Sequence, residues 1–242
     1  MDPSGPIAPD GRGRARQAAA EAAAALVEPG MVVGLGTGDS AAWFVRALAA
    51  RAAQGLHLAA CVPTSTRTAR LAASLGLPLR ELDDLPGAAQ PVHLTVDGAD
   101  EIDPALRLLK GGGGALLREK LVAHASRRLI VVADEGKRVS RLGARAPLPV
   151  EVVPFGVAQT LRRIQDRFPG AALRLVEGTP VRSDGGNLLI DIPLGAEEAA
   201  DPEQLHRCLK LLSGVIETGL FLHEAERALI GTLGGAVVEQ LR

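Results

Sequence analysis

Through its first 140 or so residues the chain alternates short, wholly apolar runs with longer stretches of strong helix formers. MVVGLG (31–36) passes through a glycine turn into GTGDSAAWFVRALAARAAQ, LHLAACVP feeds TSTRTARLAASLG, VHLTV feeds DGADEID, and RLIVVAD feeds EGKRVSRLG. An apolar run bounded by turn residues fits a strand buried on both faces. Strands of this kind alternating with helices predict an α/β fold built on a parallel sheet covered on both sides. Upstream, ARQAAAEAAAALVEPG reads as a helix stopped at Pro29 and Gly30, and the Pro- and Gly-rich residues 1 to about 13 read as a mobile arm.

From about Pro147 the pattern changes. PVEVVPF, VAQTLRRIQDRF, AALRLVEG, NLLIDIPL, PEQLHRCLKLL and GVIETGLFL read as strand, helix, strand, strand, helix, strand, with SDGGN (183–187) as a tight reversal between the middle strands. That order is the split βαββαβ, ferredoxin-like arrangement. The tail, ERALIGTLGGAVVEQLR, reads as one more strand and a short helix returning to the first sheet.

In open parallel sheets, ligands sit beyond the carboxyl ends of the strands. Those ends fall here at 37–40, 64–67, 97–100 and 134–137, and all four are polar, so they converge on one crevice. Composition limits what that crevice can hold. At 242 residues and 47% hydrophobic content the chain can bury a large core, while a formal charge of -1 gives no general attraction for nucleic acid or an anionic membrane. An acidic ligand must therefore be held by particular groups. Only Lys110, Lys120, Lys137 and Lys210 among 27 basic residues are lysines, and three of them lie in one central segment. In a chain that otherwise uses arginine, this hints at a role for a compact ammonium, although Lys120 also reads as a solvated helix residue.

Cys61 and Cys208 are far apart and belong to no CxxC pair or His/Cys cluster. They read as reduced, buried, structural thiols rather than zinc ligands or a disulfide. No stretch approaches the roughly 18 apolar residues of a membrane span, and the N-terminal residues lack a signal-peptide core, so the expectation is a cytoplasmic protein with no membrane partner.

The densest chemistry lies in VHLTVDGADEIDPALRLLKGGGGALLREK (92–120). It sets Asp97, Asp100 and Glu119 around Lys110 and the run Gly111 to Gly114, an arrangement suited to an anionic substrate. Four glycines in a row cost backbone entropy, tolerated where main-chain N–H groups must approach a ligand. KGGGGALLREK lacks the GK[ST] ending of a nucleotide-binding P-loop. Glu119, about one turn into the following helix, can point back at the pocket, where burial and neighbouring carboxylates raise its pKa into the range of a general base. DGADEID does not match a calcium-loop spacing, and Glu101 and Asp103 read as helix-start or solvated residues, so no metal is expected. GLGTGDSA (34–41) brings a strand to a helix N-terminus and suits an anion. It reads as a monophosphate cradle, as a bare turn, or as a dinucleotide fingerprint with Arg67 reading a 2'-phosphate; the acidic residue expected after the next strand is absent.

GLGTGDSAA, VPTSTRTARLAASLGLPL, VDGADEID, LLKGGGGALLREK, VVADEGKRVSRLG, PLPVEVVPFG, SDGGNLLIDI, GVIETGLF and ALIGT together resemble type A ribose-5-phosphate isomerases over nearly the whole chain. The resemblance implies interconversion of ribose 5-phosphate and ribulose 5-phosphate through an enediolate, with neither cofactor nor metal. It implies a Rossmann-like domain over 1–145 and 219–242, a ferredoxin-like domain over 146–218, and a homodimer or homotetramer. It makes Glu119 the base, Asp97 and Asp100 the groups for ring opening and hydroxyl protons, and Lys110 the stabiliser of negative charge. Substrate would be held by Thr37, Gly38, Asp39, Ser40, Gly98, Ala99, Gly111, Gly112, Gly113 and Lys137. Two positions depart from the family pattern: Asp39 stands where a hydroxyl is usual, and Arg16 where the first helix usually carries lysine. Two rival readings are a sugar-phosphate sensor without turnover and an NADP oxidoreductase.

Overall fold

A computed structural model describes residues 10–87 and 90–242. The first helix, α1 (Gly11–Ala25), starts earlier than the sequence pattern suggests, because the Asp10 carboxylate accepts from the Gly13 N–H at 2.7 Å and caps it. Residues 11–13 of the expected arm are therefore helical, and residues 1–9 lie outside the described residues.

The chain then runs through β1 (Val32–Leu35), α2 (Asp39–Ala53), β2 (Ala60–Pro63), α3 (Thr66–Ser74), β3 (Leu94–Asp97), β4 (Glu101–Ile102), β5 (Leu108–Leu109), α4 (Leu116–His124) and β6 (Leu129–Asp134). Next come β7 (Leu148–Val152), α5 (Val157–Gln165), β8 (Ala172–Leu173), β9 (Leu175–Val176), β10 (Thr179–Pro180), β11 (Leu188–Ile192) and α6 (Pro202–Lys210). It finishes with β12 (Val215–Thr218), β13 (Leu220–Phe221), β14 (Ala225–Gly231) and β15 (Val237–Leu241).

The main sheet has the order β15-β14-β6-β3-β1-β2, and its pairs are parallel except for β14 with β15. β1, β3 and β6 are nearly all apolar and buried, as the continuous runs predict. Helix α1 packs on this sheet through Ala15, Ala19, Ala20, Ala23 and Ala24. These small side chains let it come so close that a Cβ on Gly231 would overlap the Ala15 carbonyl.

A second sheet has the order β12-β7-β11-β8 with every pair antiparallel, the ferredoxin-like arrangement, and α5 and α6 share its core. A small hairpin, β9 with β10, precedes the SDGGN turn, an excursion the apolar pattern does not reveal because both strands are exposed. A third sheet, β13-β5-β4, leads into the crevice. The expected C-terminal short helix is a strand instead. The turn at 232–236 reverses the chain with Gly235 at φ +87°, and the valines of VVEQL pair along β14 as β15.

Candidate active site

The ends of β1 and β3 are clamped together by one carboxylate. Asp97 Oδ1 accepts the N–H of Thr37 at 3.0 Å and of Gly98 at 2.7 Å. Gly36 makes room for it, since a Cβ there would overlap the Asp97 carboxylate. The other oxygen, Oδ2, lies 3.1 Å from Lys110 Nζ, which also donates to the Gly98 carbonyl at 2.6 Å and lies 3.3 Å from Glu119 Oε1. Lys110 emerges from β5, where its own N–H is held by the Gly219 carbonyl, and the ring of Phe221 on β13 lies 5.3 Å beneath its ammonium. Burial opposes the charge on Lys110, but Asp97 and Glu119 outweigh that and hold its pKa above the ordinary lysine value.

Glu119 sits in the first turn of α4 and is only 4% exposed, yet it lines the crevice. Its Oε1 faces Lys110, and its Oε2 has no hydrogen-bond partner. Burial, then repulsion from Asp97, raises its pKa to about 8 against the pull of Lys110. Burial likewise raises Asp97. The site therefore contains one fixed ammonium and one carboxyl, Glu119, that changes protonation near neutrality with an oxygen free to take a proton.

Asp100, at the end of the same loop, accepts the Gly112 N–H at 2.7 Å and faces the crevice. Among the glycines, Gly111 and Gly113 line the cavity, whereas the Gly112 N–H is already engaged by Asp100. Gly111 turns the chain with φ +101°, and its carbonyl and that of Gly112 are gripped by the Arg174 guanidinium at 2.9 and 3.1 Å. Arg174 is itself held by Asp191 on β11, so the second sheet fixes the glycine loop.

At the opposite end, the turn between β1 and α2 presents Gly38, Asp39 and Ser40 beside Arg16, Arg67 and Lys137 around a cavity of about 240 Å³. Thr37 lines it too, but its hydroxyl is tied to Thr64, Ser65 and Thr68 at 2.8, 2.8 and 3.2 Å and its N–H to Asp97, which leaves only its carbonyl and methyl. Asp39 turns outward, with its side chain 77% exposed, and pairs with Arg16 at 3.4 Å. Arg16 is anchored in turn by Asp134 at the end of β6 at 2.8 Å.

The crevice thus gathers Thr37, Gly38, Asp39, Ser40, Gly98, Ala99, Asp100, Lys110, Gly111, Gly113, Glu119 and Lys137, while Asp97 stands behind Lys110 and Gly112 behind Asp100. Four other expectations change. Glu101 is buried on β4 and accepts from Gly143, Arg145 and Ala146, and Asp103 is buried and binds the N–H groups of Ala105 and Arg107 together with the Arg107 guanidinium. Neither is solvated nor starts a helix; each satisfies a loop's N–H donors. Lys120 is buried rather than solvated, donating to Glu217 and to the carbonyls of Thr218 and Leu220. Cys61 is buried as expected, with burial pushing its thiol up to about 12, while Cys208 is only half-buried. Sequence reasoning overlooks Arg174 and Phe221, since no local pattern around either marks a partner more than sixty residues away. Among the described residues, no group of three or more His, Cys, Asp or Glu could hold a metal ion, and no helix is long and apolar enough to cross a membrane.

The family profile described as ribose 5-phosphate isomerase A (phosphoriboisomerase A) matches residues 60–235. The chain is 54% identical over 222 residues to the ribose-5-phosphate isomerase A of Caulobacter vibrioides, covering 90% of this chain and 93% of the relative. A D-ribose-5-phosphate isomerase solved in complex with phospho-erythronic acid superposes with a TM-score of 0.88 at 34% identity, covering 96% of this chain and 99% of its own. The Plasmodium falciparum ribose 5-phosphate isomerase gives 0.88 at 30% identity, covering 95% and 99%.

Proposed function

The chain belongs to the ribose 5-phosphate isomerase A family, and from that premise we propose that its crevice interconverts D-ribose 5-phosphate and D-ribulose 5-phosphate with Glu119 as the proton-transferring base. The observation that carries the assignment is the unpartnered Oε2 of Glu119, buried in the wall of the cavity beside the Lys110 ammonium. In the open-chain aldose, ionised Glu119 takes the proton from C2, and the electron pair moves through C1 onto O1 to give an enediolate. Lys110 neutralises that oxygen's charge in a water-poor setting where the effect is strong. The same carboxyl returns the proton to C1, while the hydroxyl proton passes from O2 to O1 and yields the ketose.

Asp100 is the group for ring opening and hydroxyl protons, because it faces the cavity. Asp97 has both oxygens engaged and acts through Lys110 as a positioning residue. Gly98, Ala99, Gly111 and Gly113 line the sugar end, with Gly112 fixing Asp100. Ser40, Lys137 and Arg16, with the backbone N–H groups of Gly38 and Asp39, hold the phosphate at the N-terminus of α2, while Thr37, its own donors engaged, shapes the turn. This chemistry needs no cofactor, since side chains supply every proton transfer. We assign residues 1–145 and 219–242 to the catalytic unit and 146–218 to the ferredoxin-like unit, in a cytoplasmic homodimer or homotetramer.

The test is conversion of ribose 5-phosphate, followed by the ketose it forms, in the presence of EDTA, together with light scattering for the assembly. Binding without turnover would revive the sensor reading, which the comparisons do not support, and stabilisation by NADPH would revive the oxidoreductase.

A further inference from the structure

A second, wider cleft of about 650 Å³ opens from the phosphate end of the active site. Arg16, Gly38, Asp39 and Arg67 line both cavities, so the two share a neck. Beyond it the cleft is walled by Ala42, Trp43, Arg46, Thr68 and Leu71, from α2 and α3. Three guanidinium groups thus face one carboxylate, and that carboxylate, Asp39, is already paired with Arg16.

Arg46 and Arg67 have no carboxylate partner among the described residues. Arg46 is held in place by the Ala42 carbonyl at 3.2 Å and by the face of Trp43, 5.8 Å away, which orders it at no cost in charge. Because Arg46 covers the indole face, the cleft offers cation rather than a stacking surface. It is suited to a second anion and not to a nucleobase. Arginine forks bind phosphate oxygens in pairs, and Arg67 reaches both the neck and the cleft.

We propose that this cleft is a second anion subsite, taking the distal phosphate of diphosphate compounds whose proximal phosphate occupies the neck. The proposal rests on the reading that the turn before α2 holds the substrate phosphate. Such ligands compete with ribose 5-phosphate, which makes the enzyme sensitive to diphosphates.

The test uses inorganic phosphate and inorganic pyrophosphate as inhibitors of the intact enzyme, at constant ionic strength with EDTA. Competition by phosphate reports on the neck alone; if phosphate does not compete with substrate, the phosphate-turn reading falls. The new subsite is read from the ratio of the two inhibition constants. Pyrophosphate is expected to bind about tenfold more tightly than phosphate, as one added charge-assisted pair would give. Arg46→Gln should bring that ratio close to one while leaving kcat and KM for ribose 5-phosphate unchanged. Arg70→Gln, an exposed residue of α3 outside the cleft, should leave the ratio intact. A wild-type ratio near one, a ratio that survives Arg46→Gln, an equal loss in Arg70→Gln, or inhibition by pyrophosphate that is not competitive with substrate would each overturn the proposal.

Discussion

Glu119 Oε1 lies 3.3 Å from the Nζ of Lys110, and the same carboxyl's Oε2 is buried without a partner. One oxygen is held by a charge and the other has no partner, so replacing the carboxyl by an amide keeps the shape and removes the proposed base. Glu119→Gln is expected to lower kcat by about 10³-fold, within the range of general-base losses, with KM changed less than about threefold. Steady-state assays with a binding measurement check it. A variant that turns over normally would remove Glu119 from the mechanism.

The raised pKa sets the pH dependence. As the proposed base, Glu119 acts only when ionised, so kcat/KM should climb with pH and level off above about 8. A profile already flat from pH 6 upward would contradict the assignment.

The same shift has the opposite sense for stability. Folding raises Glu119 from 4.5 to about 8, so between those values the folded protein retains a proton that the unfolded chain has lost, and stability falls as pH rises through that window. Asp97, also raised, adds in the same direction. Glu119→Gln removes its share, so its melting temperature relative to wild type should increase from pH 5 to pH 9. Scanning calorimetry at both ends would reveal a constant or shrinking difference if the argument is wrong.

Lys110→Met leaves Asp97 and Glu119 facing each other without a counter-charge. The expected cost is about 3 kcal/mol in denaturant unfolding at pH 8. It should be smaller at pH 5, where the carboxyls can neutralise themselves, and activity should be lost at both.

Gly36→Ala forces a methyl into the Asp97 carboxylate. The clash should cost about 1–3 kcal/mol and cut kcat, because Asp97 positions Lys110. Unaltered kcat in a folded Gly36→Ala protein would show that Asp97 can move freely.

Most of the catalytic crevice is legible in the sequence because its parts are local. VDGADEID and KGGGGALLREK each carry their chemistry within a few residues of a strand end, and the βα alternation places those ends together. What escapes is set by distant partners. Glu101 looks solvated until the loop at 143–146 closes over it, and Lys120 looks like a surface residue until Thr218 and Leu220 turn their carbonyls toward it. Arg174 belongs to another sheet and has no reason to be singled out until its guanidinium meets the glycine carbonyls. The tail reads as a helix because VVEQL is short, and its strand character comes from the neighbour it pairs with.

Gly219 is where the chain leaves the second sheet for the third, and its backbone is bonded to both Lys110 and Pro149. A side chain there would strike the Lys110 carbonyl, so this crossing is drawn tight around Lys110. The consequence concerns biogenesis. On a ribosome, Lys110, Glu119 and the glycine loop emerge long before residue 219, and loop closure over such a separation is slow. A nascent chain that has not reached Gly219 lacks the backbone bond to Lys110, so the residues proposed to perform the chemistry are fully seated only after the second sheet has been made.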